Sequence, residues 1–434
     1  MQSSKKVING WAMYDWANSA YNLVITTTIF PVYYDAITTV KDNSNKIVSD
    51  DVAFLGMHLK SGALYEYAIS FAYLVIALLS PMLSSIADGR GNKKRFMQFF
   101  CFLGSVACCA LFFFTKERLD LGIICCILAA IGYCGSLVFY NSYLPEIAPV
   151  EEQDKVSAKG FAYGYIGSVL LQIICFVFVL LLPFGMDVGF ASRLSFLLVG
   201  FWWIGFSQVT FAVLPKADTH KNKHVTLFNK GFVELRKVWQ QVKTLPVLKQ
   251  YLFAFFFYSM GVQTVMIAAT LFGSQELGLG ETQLISCILI IQLVAIGGSY
   301  LMAKLSGKYG NVNVLAFVVL LWMGICAIAY FIQSAAGFYL VAVLVGIVMG
   351  GIQSLSRSTY SKLMPETKDT ASFFSFYDVT EKLAIVVGTF SFGLIHQVTG
   401  SMRNSILALI AFFGIGFIGL ALTRRKQKIV GKIQ

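Results

Sequence analysis

Twelve apolar runs, most of them twenty residues or longer, govern what this chain can become. They fall at about 8–35, 61–87, 96–115, 120–144, 158–182, 191–214, 247–272, 282–305, 312–333, 337–363, 371–397 and 402–423. A helix rises about 1.5 Å per residue, so runs of this length match roughly 30 Å of hydrocarbon. Strands of a membrane barrel would alternate polar and apolar residues in short segments, which these runs do not do. A soluble fold is excluded by composition, because 434 residues that are 57% hydrophobic and only 13% charged lack the polar surface to cover a core. The expected fold class is an all-α membrane protein with twelve transmembrane helices. All nine cysteines lie inside the runs, where they read as small packing residues rather than a disulfide framework or a zinc site. The first run lacks a small-residue cleavage site and reads as a retained helix, not a signal peptide.

Net charge is +12, and its distribution matters more than its size. With the amino terminus inside, 25 of the 34 basic residues fall at the cytoplasmic side and 7 at the outer side, while Arg357 and Lys382 are intramembrane. That bias places both termini in the cytoplasm and explains the positive charge without nucleic acid.

The longest polar stretch, Pro215 to Pro246, separates six runs from six. It gives an amino-terminal bundle at 1–214, a cytoplasmic central loop at 215–246 and a carboxy-terminal bundle with a basic tail at 247–434. Within the loop, Phe232, Leu235, Val238 and Val242 recur at helical spacing, which predicts an amphipathic helix on the inner leaflet. A second signal comes from comparing the halves. The fourth run ends in Leu144-Pro145-Glu146 and the tenth in Met364-Pro365-Glu366, each followed by a short polar loop and an aromatic, helical start. A duplicated six-helix unit predicts such weak internal similarity.

The loop after the second run reads SSIADGRGNKKR, Ser84 to Arg95. It is similar to the signature of the major facilitator superfamily, Gly-x-x-x-Asp-(Arg/Lys)-x-Gly-(Arg/Lys)-(Arg/Lys). Asp88, Gly91 and Lys93 match, whereas Ser84, Gly89 and Asn92 depart from it. The resemblance implies two pseudo-symmetric six-helix bundles and a cytoplasmic gate in which Asp88 caps the inner end of helix 11. A carboxylate suits a helix amino terminus because the dipole and unpaired amides favour negative charge there. The equivalent loop from Ala303 has Gly307 where the aspartate belongs. Glu146 is assigned to the same gate. More particularly, the segments Gly10–Tyr34, Tyr258–Val265, Ile291–Gly298 and Gly350–Ser358 resemble the vacuolar-effluxer-like branch, whose bacterial members form the unknown major facilitator family. One departure is Ser259-Met260, where members commonly carry Asn-Asp. The yeast relative of that branch returns amino acids from the vacuole lumen, so the resemblance implies amino acids or similar zwitterions as substrate.

Ionised groups in hydrocarbon are expensive and need a partner or a wet surface. Five lie well inside the membrane, away from the outermost turns of their runs: Asp15 on helix 1, Arg357 on helix 10, and Asp378, Glu381 and Lys382 on helix 11. Asp378 and Lys382 are spaced i,i+4 with the acid first, which favours a same-face pair. Arg357 is then expected to partner Asp378 or Glu381. Basic groups could hold a carboxylate while Asp15 or Glu381 meets an ammonium. Asn18, Ser19, Tyr21, Asn22, Gln263, Thr264 and Gln353 are the neutral candidates for lining such a site, whereas Trp11, Tyr14 and Trp16 read as interfacial anchors. The same charges could instead only hold helices 10 and 11 together and gate the inner side.

No Gly-x4-Gly-Lys-(Ser/Thr) phosphate cradle occurs, which argues against ATP as driver. Of four histidines only His220 and His224 have i,i+4 spacing, and they lie in the central loop, so neither a metal site nor a catalytic triad is expected. The chain therefore reads as a monomeric secondary transporter of the inner (plasma) membrane, without cofactor and not an enzyme, moving a small solute by alternating access with proton coupling through Asp15 or Glu381. Multidrug or metabolite efflux is the alternative, and a membrane-embedded lipid-handling protein or enzyme the alternative of another class.

Overall fold

The structure is a computed structural model that describes residues 4–41, 47–215 and 230–430. Among the described residues, eleven helices are long and apolar enough to cross a membrane, the shortest spanning 21 residues. They correspond to the second through twelfth runs.

The first run behaves differently. Its helix begins at Lys5–Ala20, widens to a π-helix over Tyr21–Thr28 and returns to α-helix over Ile29–Thr38. The sequence supplies a cause in its threonines. Thr27 Oγ1 donates to Asn22 O and Thr28 Oγ1 to Leu23 O, each at 2.8 Å and five residues back, so both hydroxyls reinforce the wider register. Pro31 follows at once and has no amide with which to continue a backbone ladder. π-turns inside helices occur frequently at functional sites.

The all-α expectation needs one addition. After the first helix, Val40–Lys41 pairs antiparallel with Ile47–Ser49, and Asp51–Phe54 with Met57–Lys60. Residues Leu55 and Gly56 take positive φ of 48° and 81° in the tight connection of the second hairpin, and only the glycine does so without steric conflict. Lys60 closes this hairpin onto Asp50 and Asp51 at 2.6 and 3.1 Å, and those hydrogen bonds raise its pKa above the usual lysine value.

Two compact units are formed, one from Lys5–Tyr140 with Ile166–Gly231, the other from Asn141–Tyr165 with Phe232–Gln434. In the first, the opening helix and Lys93–Ala110 both pack on Val188–Val213. In the second, Glu281–Tyr309 and Ala335–Leu363 make the most extensive helix pair. Glycine allows that approach: a Cβ at Gly298 would stand 2.3 Å from Ile347 O, and one at Gly350 2.3 Å from Ala295 O. Small residues of this kind let membrane helices touch backbone to backbone. Gly350→Val is accordingly expected to lower stability by about 3 kcal/mol through overpacking, read as a fall in melting temperature in detergent.

The central-loop helix runs from Lys230 to Thr244. Val238 and Val242 are buried among the carboxy-terminal helices, and Trp239 stacks on Phe376 at 5.9 Å. These two valines of the apolar stripe therefore pack against protein. The side chains of Phe232 and Leu235, and all of His220 and His224, lie outside the described residues.

Candidate functional site

The helix Thr370–Thr399 carries three charged groups on adjacent turns. Lys382 Nζ lies 3.4 Å from Asp378 Oδ1, and both residues are buried, at 8% and 6% exposure. The i,i+4 spacing produced the pair that the sequence implied. Asp378 Oδ2, however, has no hydrogen-bond partner. One turn of helix places Glu381 beside this pair, where its Oε1 accepts from Gln263 Nε2 of Pro246–Leu277 at 3.0 Å. Thr264 is buried with its hydroxyl unpaired, directly against Gly388: a Cβ there would stand 2.5 Å from Thr264 Oγ1. Gly388 thus lets the two helices close around the group. A buried carboxylate oxygen and a buried hydroxyl without partners are rare in folded proteins, and they mark where another polar group fits.

Arg357 corrects an expectation. Its guanidinium meets neither Asp378 nor Glu381 but turns to the Asn141–Tyr165 segment of the same unit. Nε donates to Ser157 Oγ and Nη2 to Ser157 O, both at 2.9 Å, and Nη1 donates to Asn141 Oδ1 at 3.1 Å. The ring of Phe161 lies 4.3 Å from the guanidinium carbon. Ser157 Oγ in turn donates to Ser354 O at 2.8 Å, and Tyr165 Oη donates to Gln353 Oε1 at 2.7 Å. A planar fork of donors over an aromatic face is chemistry that lysine cannot reproduce.

The same segment supplies one acid the sequence reading did not rank. Asp154, 3% exposed, accepts from Lys362 Nζ at 2.6 Å, from Ser306 Oγ at 2.9 Å and from Asn311 Nδ2 at 2.6 Å. Four helices are pinned at one point by these bonds. Sequence offered only one signal, an acid in the first turn of the fifth helix; its partners come from positions more than 150 residues away. Asp154→Asn should cost about 3 kcal/mol by leaving Lys362 partly buried against a neutral amide, and a Lys362→Met partner change should restore most of it in a melting assay. Glu146 Oε1 accepts from Thr370 Oγ1 at 2.8 Å, so a carboxylate sits at the amino terminus of the helical segment that begins the eleventh span. That is the position the family resemblance assigned to Asp88.

In the other unit, Asp15 is buried and accepts from Tyr140 Oη at 2.8 Å. Tyr140 stacks on Trp11 at 4.4 Å, and Trp11 Nε1 donates to Tyr140 O. Trp11 and Tyr14 are 0% exposed, so the interfacial-anchor reading of these two is wrong: the helix enters the bundle aromatic side inward. Trp16 is half-buried and stacks on Trp202 at 5.8 Å. Asn18 is buried with Nδ2 unpaired, and Ser19 Oγ donates to its Oδ1 at 3.4 Å. Tyr21 packs on Tyr133 and Trp203, whereas Asn22 is exposed at the start of the π-turn. Thr28 Oγ1 and Gln172 Oε1, 2.8 Å apart and buried, were not singled out from sequence. Gly91 ends Ser61–Arg90 with φ 61°, Lys93 is buried at the start of the next helix, and Asp88 lies in the last turn before Gly91.

Comparison with known proteins bears on what this arrangement belongs to. A model of the vacuole effluxer Atg22-like family matches residues 3–431. The chain is 33% identical over 425 residues to an uncharacterized MFS-type transporter, YxiO of Bacillus subtilis, covering 97% of this chain and 95% of that one. It is 26% identical to autophagy-related protein 22 of Kluyveromyces lactis, covering 98% and 95%. Among solved structures, the major facilitator transporter FucP in its outward conformation superposes with a TM-score of 0.70 at 12% identity, covering 96% of this chain and 98% of that one. The human organic anion transporter MFSD10 gives 0.73 at 10%, covering 96% and 99%.

Proposed function

The chain belongs to the vacuole effluxer Atg22-like family and is a major facilitator transporter rather than an enzyme, and on that premise we propose that it carries amino acids or similar small zwitterions by alternating access, coupled to protons. The observation that carries the substrate class is the Asp378–Lys382 pair with Glu381 beside it, an amphoteric set inside a membrane-spanning helix. A zwitterion presents the complementary charges. Its ammonium would meet the unpaired oxygen of Asp378 or the Glu381 carboxylate, and its carboxylate the Lys382 ammonium. Gln263 and Thr264 supply the neutral hydrogen bonds.

Proton coupling rests on the excess of acid. Asp378 and Glu381 face a single lysine on their own helix, so one carboxyl carries a proton or meets a cation whenever no substrate is bound. Twelve spanning helices, with the π-widened first segment crossing like the others, a 1–214 and a 247–434 bundle, cytoplasmic termini, a monomer in the plasma membrane and a gate drawing on Asp88, Gly91, Lys93 and Glu146 complete the reading. The Atg22-like family's description as a vacuole effluxer supports movement of a small stored solute.

A thermal-shift screen of the purified protein against amino acids, dipeptides, nucleosides and sugars tests the substrate class, since a ligand binding only the native state raises its apparent stability. Stabilisation by at least one amino acid, lost when its amine is acetylated, is expected. Stabilisation confined to sugars or nucleosides would overturn the reading.

A further inference from the structure

A cleft of about 400 Å³ opens where three spanning helices end, between the start of Asn311–Phe331, the end of Ala335–Leu363 and the end of Met402–Val430. Lys362, Arg424 and Lys428 line it together with Asn311, Asn313 and Gln427, and no acidic side chain does. Lys362 is already paired with Asp154. Arg424 and Lys428 are exposed and form no ion pair among the described residues. They stand i,i+4 on one face of their helix, so their charges add at one point.

The wall opposite these cations also favours an anion. Gly310 turns the chain at φ 84° into the helix Asn311–Phe331, whose first amides have no acceptor within the helix. Partial positive charge from the dipole and two uncompensated full charges converge on one small volume.

Position within the spans indicates what the anion is attached to. All three helices are membrane-spanning, and the cleft lies at their ends, at the depth of lipid headgroups. Below it the same helices expose apolar side chains, Phe317 and Leu320 on one and Ile418 and Leu422 on another. A phosphodiester in the cleft would leave its acyl chains against those faces. Basic pockets between spanning helices hold anionic headgroups in this way.

We propose that this cleft is a binding site for the phosphate of an anionic phospholipid. The site is separate from the Asp378–Lys382 group and stands whatever that group transports.

The test uses the full chain purified in neutral detergent, with phosphatidylglycerol, phosphatidylcholine and inorganic phosphate as probes. Melting temperature and retained lipid, counted by native mass spectrometry, are the readouts. Phosphatidylglycerol is expected to raise the melting temperature and to be retained, with neither effect from phosphatidylcholine or from inorganic phosphate. Arg424→Gln with Lys428→Gln should weaken phosphatidylglycerol binding about thirty-fold, at about fivefold per charge, while Lys5→Gln with Lys6→Gln leaves it unchanged. Equal loss in both double variants, no loss in the first, or equal binding of phosphatidylcholine would overturn the proposal. Reproduction of the shift by inorganic phosphate would assign the cleft to a free anion and overturn the lipid assignment.

Discussion

Replacing Lys382 with methionine is expected to destabilise the purified protein by about 3–5 kcal/mol and to abolish solute flux. The pair it breaks is buried on both sides, and Asp378 already has one oxygen without a partner. Removing the ammonium would leave a carboxylate in a low-dielectric site with no compensating charge. The partner variant separates structure from transport. Asp378→Asn with Lys382→Met removes both charges and should recover most of the stability, because a neutral pair carries no desolvation penalty of this size. Flux should stay absent in the double variant. Full recovery of flux along with stability would mean that the pair only holds the helix in place.

Arg357 is the second position of large effect. Arg357→Lys keeps the charge but loses the fork that holds both atoms of Ser157 and the Asn141 side chain, and it weakens the contact with Phe161. A stability loss of about 3 kcal/mol is expected, from two or more hydrogen bonds of a charged donor left unmade. Arg357→Ala should be more severe, since it leaves the buried Ser157 and half-buried Asn141 acceptors without this donor. Melting temperatures of the two variants, measured side by side, check the order. A lysine variant as stable as the parent would show that the geometry of the guanidinium is unimportant.

The difference between these two sites shows what a sequence can and cannot convey. Asp378 and Lys382 are four residues apart on one helix, so the helical repeat alone brings them together. Arg357 meets Ser157 across 200 residues, and Asp154 meets Lys362 across 208, distances over which periodicity carries no information. The spanning runs were legible because hydrocarbon thickness imposes a length on them. The π-turn of the first helix was not, since it depends on which carbonyl each threonine hydroxyl chooses, a matter of one residue in register. Trp11 and Tyr14 were misjudged for a related reason. Depth in the membrane suggested an interface, but the direction each ring points is set by packing on Tyr140 and Phe211. The loop aspartate presents a further contrast. Asp88 carried the motif, whereas Glu146, which accepts from Thr370 at the start of Thr370–Thr399, had as its sequence signal the Leu-Pro-Glu echo between the halves.

Uptake into proteoliposomes under an imposed pH gradient tests proton-coupled zwitterion transport most directly. The amino acid that stabilises the protein in the thermal screen should accumulate above its external concentration while the gradient lasts. Glu381→Gln should retain exchange of that amino acid across the membrane but lose accumulation by tenfold or more. Uptake that is indifferent to the gradient, together with unchanged accumulation in Glu381→Gln, would contradict the account.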